Sequence, residues 1–225
     1  MVTVLHEDDD VLAVDKPAGV VVIPARDEPP GESLRHRLEA ARGERLWVVH
    51  RIDRDTTGVV LFARRAESHR LLSLAFEQRR AEKTYLALTR GVPAEGVIDV
   101  ALHPARKGKM RPALPGERDA LEASTACRVL RAWRRAEGSF ALVEAHPRTG
   151  RQHQVRVHLR AVEAPLLVDP LYGRAESATV AGASLTRLTL HAHALAVPLG
   201  DRVIRVESPL AGDLRAAVEA LDASP

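Results

Sequence analysis

The sequence predicts an α+β fold, and three observations carry that expectation. Short runs of β-branched and apolar residues recur between turn residues, helical periodicity is confined to a few stretches, and one block runs strand, loop, strand, helix, strand. The 225 residues are 45% hydrophobic and 28% charged, which suits a buried core under a well-solvated surface rather than a disordered chain. Residues 1–225 are expected to form a single domain, with two sub-lobes sharing a cleft as its variant.

The elements follow in order. Val2 to Leu5, Val11 to Val14 and Val20 to Ile23 read as a small β meander, with Pro17-Ala18-Gly19 as a turn. A polar, proline-rich stretch from Arg26 to Gly31 precedes a helix from Ser33 to Ala41, where Leu34 and Leu38 repeat at i, i+4 and Ser33 can cap. Trp47 to Val49 is a strand. Val59 to Ala63 is apolar throughout, as a strand buried on both faces requires. Glu67 to Arg80 places Leu71, Leu72, Ala75 and Phe76 on one helical face, and Thr84 to Thr89 is the strand after it. Leu102 to Asp119 has no apolar periodicity and reads as a long exposed connection with Arg106, Lys107, Lys109 and Arg111 at its centre. Strands follow at Ser124 to Ala132, Ser139 to Ala145, Ala194 to Val197 and Val203 to Val206, and an amphipathic helix spans Leu210 to Leu221. One segment resists assignment by pattern: Val155, Val157 and Leu159 alternate as in a strand, while Val155, Leu159 and Val162 fit a helix.

Composition excludes several function classes. A lone Cys127 cannot form an intramolecular disulfide or supply a multi-sulfur metal site. The start, MVTVLHEDDD, is acidic where a secretory leader is basic, and no segment has the apolar length of a membrane span, so a cytoplasmic protein without membrane contact is expected. With 3% aromatic residues, nucleic-acid binding through many stacked rings is not expected. The spacings of His191 with His193 and of His153 with His158 invite a metal, but no acidic or Cys ligand stands at matching spacing, and no metal is expected. The acidic-Thr-Thr-Gly run at 55–58 is not the Asp-Thr-Gly of an aspartic protease, because Thr57 interrupts it.

The densest chemistry lies in His50-Arg51-Ile52-Asp53-Arg54-Asp55-Thr56-Thr57-Gly58, between two apolar strands. A carboxylate at the end of a buried strand needs a cationic or donor partner, and the Arg-rich block from Arg148 to Arg160 can supply one. The plainer alternative is that Asp53, Asp55, Thr56 and Thr57 only make turn hydrogen bonds.

This nonapeptide resembles the HRLDxxTSG signature of the RluA family of pseudouridine synthases. Four further stretches resemble family motifs in the same order: Asp15-Lys16-Pro17-Ala18-Gly19, Glu82-Lys83-Thr84-Tyr85, the block from Thr149 to Leu159, and Pro165 to Gly173. The departures are Ile52, Thr57, Gln152, Glu163-Ala164 and Val168. The resemblance implies a mixed, mostly antiparallel central sheet flanked by helices, with an RNA-binding cleft across the middle, and makes the ambiguous segment at 155–160 a helix.

It also implies a reaction and its residues. The family isomerises uridine in ribosomal or transfer RNA without a cofactor, breaking the ribose–nitrogen bond and rejoining the uracil through carbon 5. Asp53 takes the place of the catalytic carboxylate, Tyr85 that of the ring stacked on the uracil, and Arg156 that of the arginine paired with the carboxylate, with Arg151 as the other candidate. Arg51 matches the residue that enters the RNA helix where the target base flips out. His50, Thr57, Lys83, Arg151 and Gln154 complete the expected substrate-binding set. Arg64, Arg65, Arg79, Arg80, Lys83, Arg106, Lys107, Lys109, Arg111, Arg134, Arg135 and Arg148 are candidate phosphate contacts. The chain begins directly at these motifs, so no separate N-terminal RNA-binding module is expected, and the protein is expected to act as a monomer. Two other function classes remain: an RNA-folding protein on the same scaffold with dispensable catalysis, and a hydrolase releasing cut RNA or free uracil.

Overall fold

The computed structural model describes residues 2–24, 31–173 and 176–223. In chain order the elements are β1 (Thr3–Glu7), β2 (Val11–Lys16), α1 (Leu34–Arg42), β3 (Trp47–Val48), β4 (Thr57–Ala63), α2 (Ala66–Glu77) and β5 (Glu82–Arg90). Next come β6 (Gly96–Asp99), β7 (Leu102–Pro104), a 3-10 turn (Arg106–Gly108), β8 (Met110–Pro112), β9 (Ser124–Arg135), β10 (Gly138–Pro147) and α3 (Gln154–Ala161). The chain closes with β11 (Ala178–Val180), β12 (Ala183–Leu185), β13 (Leu190–Leu199), β14 (Arg202–Glu207) and α4 (Gly212–Ala223). The fold class is α+β, with a mixed, mostly antiparallel sheet and four helices among the described residues. The chain divides into two compact units, one of Met1–Lys83 with Ala192–Pro209, the other of Thr84–His191 with Leu210–Pro225.

In the first unit β2 pairs with β1 on one side and with β4 on the other, and β14 pairs with β13. Every residue of β4 is buried, as its unbroken apolar run anticipates. Val59, Leu61 and Ala63 face Leu72 and Ala75 of α2 in one core cluster, together with Val11, Ala13, Leu195 and Val197. Helix α1 starts where Ser33 accepts the amide of His36 and stops at Gly43, whose φ of 67° the left-handed cap requires.

The second unit is built on the antiparallel run β5, β10, β9, β6. Strand alternation sorts its side chains onto two faces. Leu86, Leu88, Phe140 and Leu142 pack under Leu214, Ala217 and Leu221 of α4, whereas Ala87, Ala141, Val143 and Ala145 pack under Val155 and Leu159 of α3. The segment at 155–160 is therefore helical. Its pattern is unreadable because the helix is buried almost all round: Gln154, Val155, Arg156, Val157, His158 and Leu159 are all covered.

The structure corrects several expectations. Val20 to Ile23 is not a strand; the carbonyls of Val21 and Val22 instead accept the amides of Leu34 and Arg35 at the start of α1. The polar stretch expected from Arg26 to Gly31 lies, except for Gly31, outside the described residues. Helix α2 ends at Glu77 rather than Arg80. Arg79 turns left-handed at φ 58°, and the amides of Arg79 and Arg80 close back on the carbonyls of Phe76 and Ala75. The connection from Leu102 to Asp119 contains the β7–β8 hairpin rather than open loop. Strands β6, β11 and β12 carry no signal strong enough to stand out at three or four residues each.

Candidate active site

Two of the motifs meet at one place in the first unit. In the antiparallel β2–β4 ladder Lys16 stands opposite Gly58, so the turn after β2 and the loop before β4 share one end of the sheet. Lys16 is completely buried, and its ammonium donates to the carbonyls of Pro17, Val20 and Arg54 at 2.8, 2.7 and 2.6 Å. A buried charge is tolerable only when its donors are matched, and these three oxygens match them. The consequence is mechanical: the carbonyl of Arg54, one residue past Asp53, is pinned to the Lys16 turn.

Three other interactions set the course of the loop. The amide of Thr56 donates to the carbonyl of Asp53 at 3.2 Å, closing a tight turn. Gly58 has φ 110°, and a Cβ there would sit 2.1 Å from the carbonyl oxygen of Ala192, so no other residue fits. Beyond the end of the short β3, His50 replaces a backbone partner, its Nε2 accepting the amide of Leu61 at 2.9 Å. The ring stacks on Phe76 with centroids 4.9 Å apart. Burial, and secondarily the charge of Lys83, push the His50 pKa down to about 3, so the imidazole is neutral and its Nε2 is free of a proton to accept with.

Each candidate residue can now be placed. His50, Arg51, Asp53 and Thr57 lie on the β3–β4 segment, with Asp53 half-buried, Arg51 exposed and Thr57 buried. Lys83 at the start of β5 is half-buried, and burial lowers its pKa. Thr56, which the sequence offered only as a turn residue, is buried, and its hydroxyl has no hydrogen-bond partner among the described residues.

In the second unit Tyr85 stands opposite Ala145 of β10 and packs partly buried against the β10–α3 core. Arg151, Gln154 and Arg156 cluster at the start of α3. Gln154 is buried, with its oxygen accepting from the Thr149 hydroxyl (2.6 Å) and the Arg151 amide (3.0 Å). Its amide nitrogen donates to the Ser124 carbonyl and Thr125 Oγ1, both at 2.9 Å, so the side chain fixes the loop that leads into the helix. Arg151 donates from Nε to the Glu122 carbonyl at 2.9 Å. Arg156 is buried and grips Asp169 through Nε (2.9 Å) and Nη2 (2.7 Å), a two-point pair that the sequence did not reveal because the partner is thirteen residues away.

Three of the four histidines singled out by spacing are placed by hydrogen bonds. His153 Nδ1 lies 2.8 Å from the Tyr172 hydroxyl, His158 bridges Thr125 Oγ1 and the Val100 carbonyl, and His193 Nδ1 donates to the Ser208 carbonyl at 2.8 Å. Among the described residues three of the expected phosphate contacts are already engaged by carboxylates, Arg64 by Glu44, Arg65 by Asp9 and Arg111 by Glu117. Lys107 and Arg106 stay exposed on the 3-10 turn. No described helix is long and apolar enough to cross a membrane.

Residues 10–161, which include the pinned loop and the segment at 155–160, match the family model described as RNA pseudouridylate synthase. The chain belongs to that family. A ribosomal large subunit pseudouridine synthase D from Nitrosomonas europaea is 34% identical over 97% of this chain, which spans 64% of that relative's length. A Zymomonas mobilis protein named only as an RNA pseudouridine synthase is 36% identical, over 92% of this chain and 93% of its own. Among solved structures, human RNA pseudouridylate synthase domain containing 4 superposes with a TM-score of 0.78 at 27% identity, covering 98% of this chain and 93% of the other. The α+β fold is thus that of the pseudouridine synthases, and the RluA resemblance of the five motifs agrees with the relatives.

Proposed function

We propose that this pseudouridine synthase isomerises a uridine of ribosomal RNA, with transfer RNA as the other substrate class, acting in the cytoplasm as a monomer. The observation that carries the reading is the buried Lys16, which spends its ammonium on holding the Asp53 loop rather than on the surface. A loop that merely turned the chain would not need a charge sunk beneath it.

In this reading Asp53 is the reacting carboxylate. The N1–C1′ bond of the uridine breaks, the base turns, C5 bonds to C1′, and the C5 proton passes to solvent while N1 gains one. Tyr85 is the platform on which the loose uracil stacks. Arg156 is the guanidinium that favours the ionised carboxylate. Arg51 enters the RNA where the base leaves, since the bond to be cut is out of reach inside a duplex. Exposed Arg106 and Lys107 hold phosphates and position the RNA without reading its sequence.

The test is tritium release from RNA carrying 5-tritiated uridine. The native chain should release tritium from ribosomal RNA stripped of modification, and Asp53→Asn should not. Release equal in both would remove Asp53 from the chemistry, and none from any RNA offered would leave the scaffold without the activity.

A further inference from the structure

In the second unit, the guanidinium of Arg156 is held on two sides. Asp169 takes its edge in the two-point pair already described, with both side chains almost fully covered. Tyr172 takes its face, the guanidinium carbon lying 5.0 Å from the ring centroid. These two residues belong to one stiff turn. Asp169 Oδ1 accepts the amides of Leu171 and Tyr172, each at 3.0 Å, and the amide of Gly173 closes on the Asp169 carbonyl at 2.7 Å. A Cβ at Gly173 would stand 2.7 Å from that same oxygen, so the turn tolerates only glycine there.

The far end of Tyr172 points to a different element. Its hydroxyl accepts the amide of Met110 at 2.7 Å and pairs with His153 Nδ1 at 2.8 Å. Met110 begins β8, is buried, and clusters with Leu102 of β7 and Val157 of α3. The β7–β8 hairpin carries Arg106 and Lys107 on its exposed turn. One phenol thus touches the arginine with its ring and the basic hairpin with its oxygen.

We infer that Tyr172 is a positioning residue that couples the basic β7–β8 hairpin to Arg156, so that RNA seated on the hairpin sets the geometry of the guanidinium. The inference rests on the proposed role of Arg156 and of the hairpin, and deepens it. Free of RNA, the hairpin is held to the α3 region through the Met110 bond and the Leu102, Met110 and Val157 packing. Phosphates bound by Arg106 and Lys107 add a further restraint on the hairpin, and Tyr172 passes it to Arg156, the side chain its ring covers.

The experiment separates affinity from rate. The RNA dissociation constant and the single-turnover rate at saturating RNA are measured by tritium release for the native chain, for Arg106→Ala with Lys107→Asn, for Tyr172→Phe, and for the combination. Asn suits position 107 because its φ is 58°. A hairpin that is only a phosphate anchor changes the dissociation constant and leaves the saturating rate alone. Coupling requires the hairpin variant to lose rate as well, by about five- to tenfold, the worth of one hydrogen bond. Tyr172→Phe should lose a similar factor in rate with little change in affinity, and the combined variant should lose no further rate. An unchanged saturating rate in the hairpin variant, which alters only surface residues, overturns the inference even if Tyr172→Phe does not fold; so do fully multiplicative rate losses. Either result leaves the proposed function standing, because that fails only if the native chain releases no tritium.

Discussion

Replacing Lys16 by Met tests the physical core of the site. Met matches the length of the lysine stem and fills the same buried space, but has no donor for the carbonyls of Pro17, Val20 and Arg54. An unsatisfied buried polar group costs about 1–3 kcal/mol, and the ammonium's own desolvation, now avoided, offsets part of the sum. The net loss should be roughly 2–5 kcal/mol of folding stability. Activity should suffer separately. The bond from Lys16 to the Arg54 carbonyl fixes the backbone one residue past Asp53, and a misplacement on the order of 1 Å at a reacting group costs roughly a hundredfold in rate. Urea unfolding followed by circular dichroism gives the first quantity. Single-turnover tritium release, at a temperature where both proteins are fully folded, gives the second. If Lys16→Met unfolds within about 0.5 kcal/mol of the native chain, the range of an ordinary surface change, and turns over at the native rate, the buried lysine holds neither the loop nor Asp53 in place.

Three shorter predictions follow from the same geometry. Gly58→Ala places a Cβ 2.1 Å from a backbone oxygen at a φ of 110°, so it should destabilise by about 3 kcal/mol or more or give no soluble protein; a thermal midpoint equal to that of the native chain would contradict the packing. The folded pKa of His50, near 3, lies below the value near 6.5 of an unfolded histidine, so its contribution to stability is complete above about pH 6.5 and is lost as pH falls toward 3, at up to about 1.4 kcal/mol per unit. His50→Gln, which can still accept from the Leu61 amide, should flatten that slope by about one proton, and identical slopes for the two proteins would show that His50 is not buried neutral. RNA affinity should fall as salt rises, and removing the Arg106 and Lys107 charges should reduce the magnitude of the log–log slope by roughly 1.4–1.8; an unchanged slope would place the phosphates elsewhere.

Local chemistry was legible in the chain before any coordinates. The apolar run from Val59 to Ala63 announced a strand covered on both faces, Ser33 announced a helix start, and the five ordered motifs announced the family, because each signal lives in neighbouring residues. What pattern could not supply was every fact that depends on partners distant in sequence. Alternation failed at α3 because a helix buried all round has no polar face to report its period. Lys16 reads as a surface lysine until the β2–β4 register sets it opposite Gly58 and above the Arg54 carbonyl. Arg156 reads as a cation seeking a carboxylate, and only tertiary packing names Asp169 and the Tyr172 ring as what holds it. Sequence alone determined which chemical groups are present and in what order; three-dimensional packing decided which of them are desolvated together. Desolvation is what turns an ordinary lysine, histidine or arginine into a fixed part of a site.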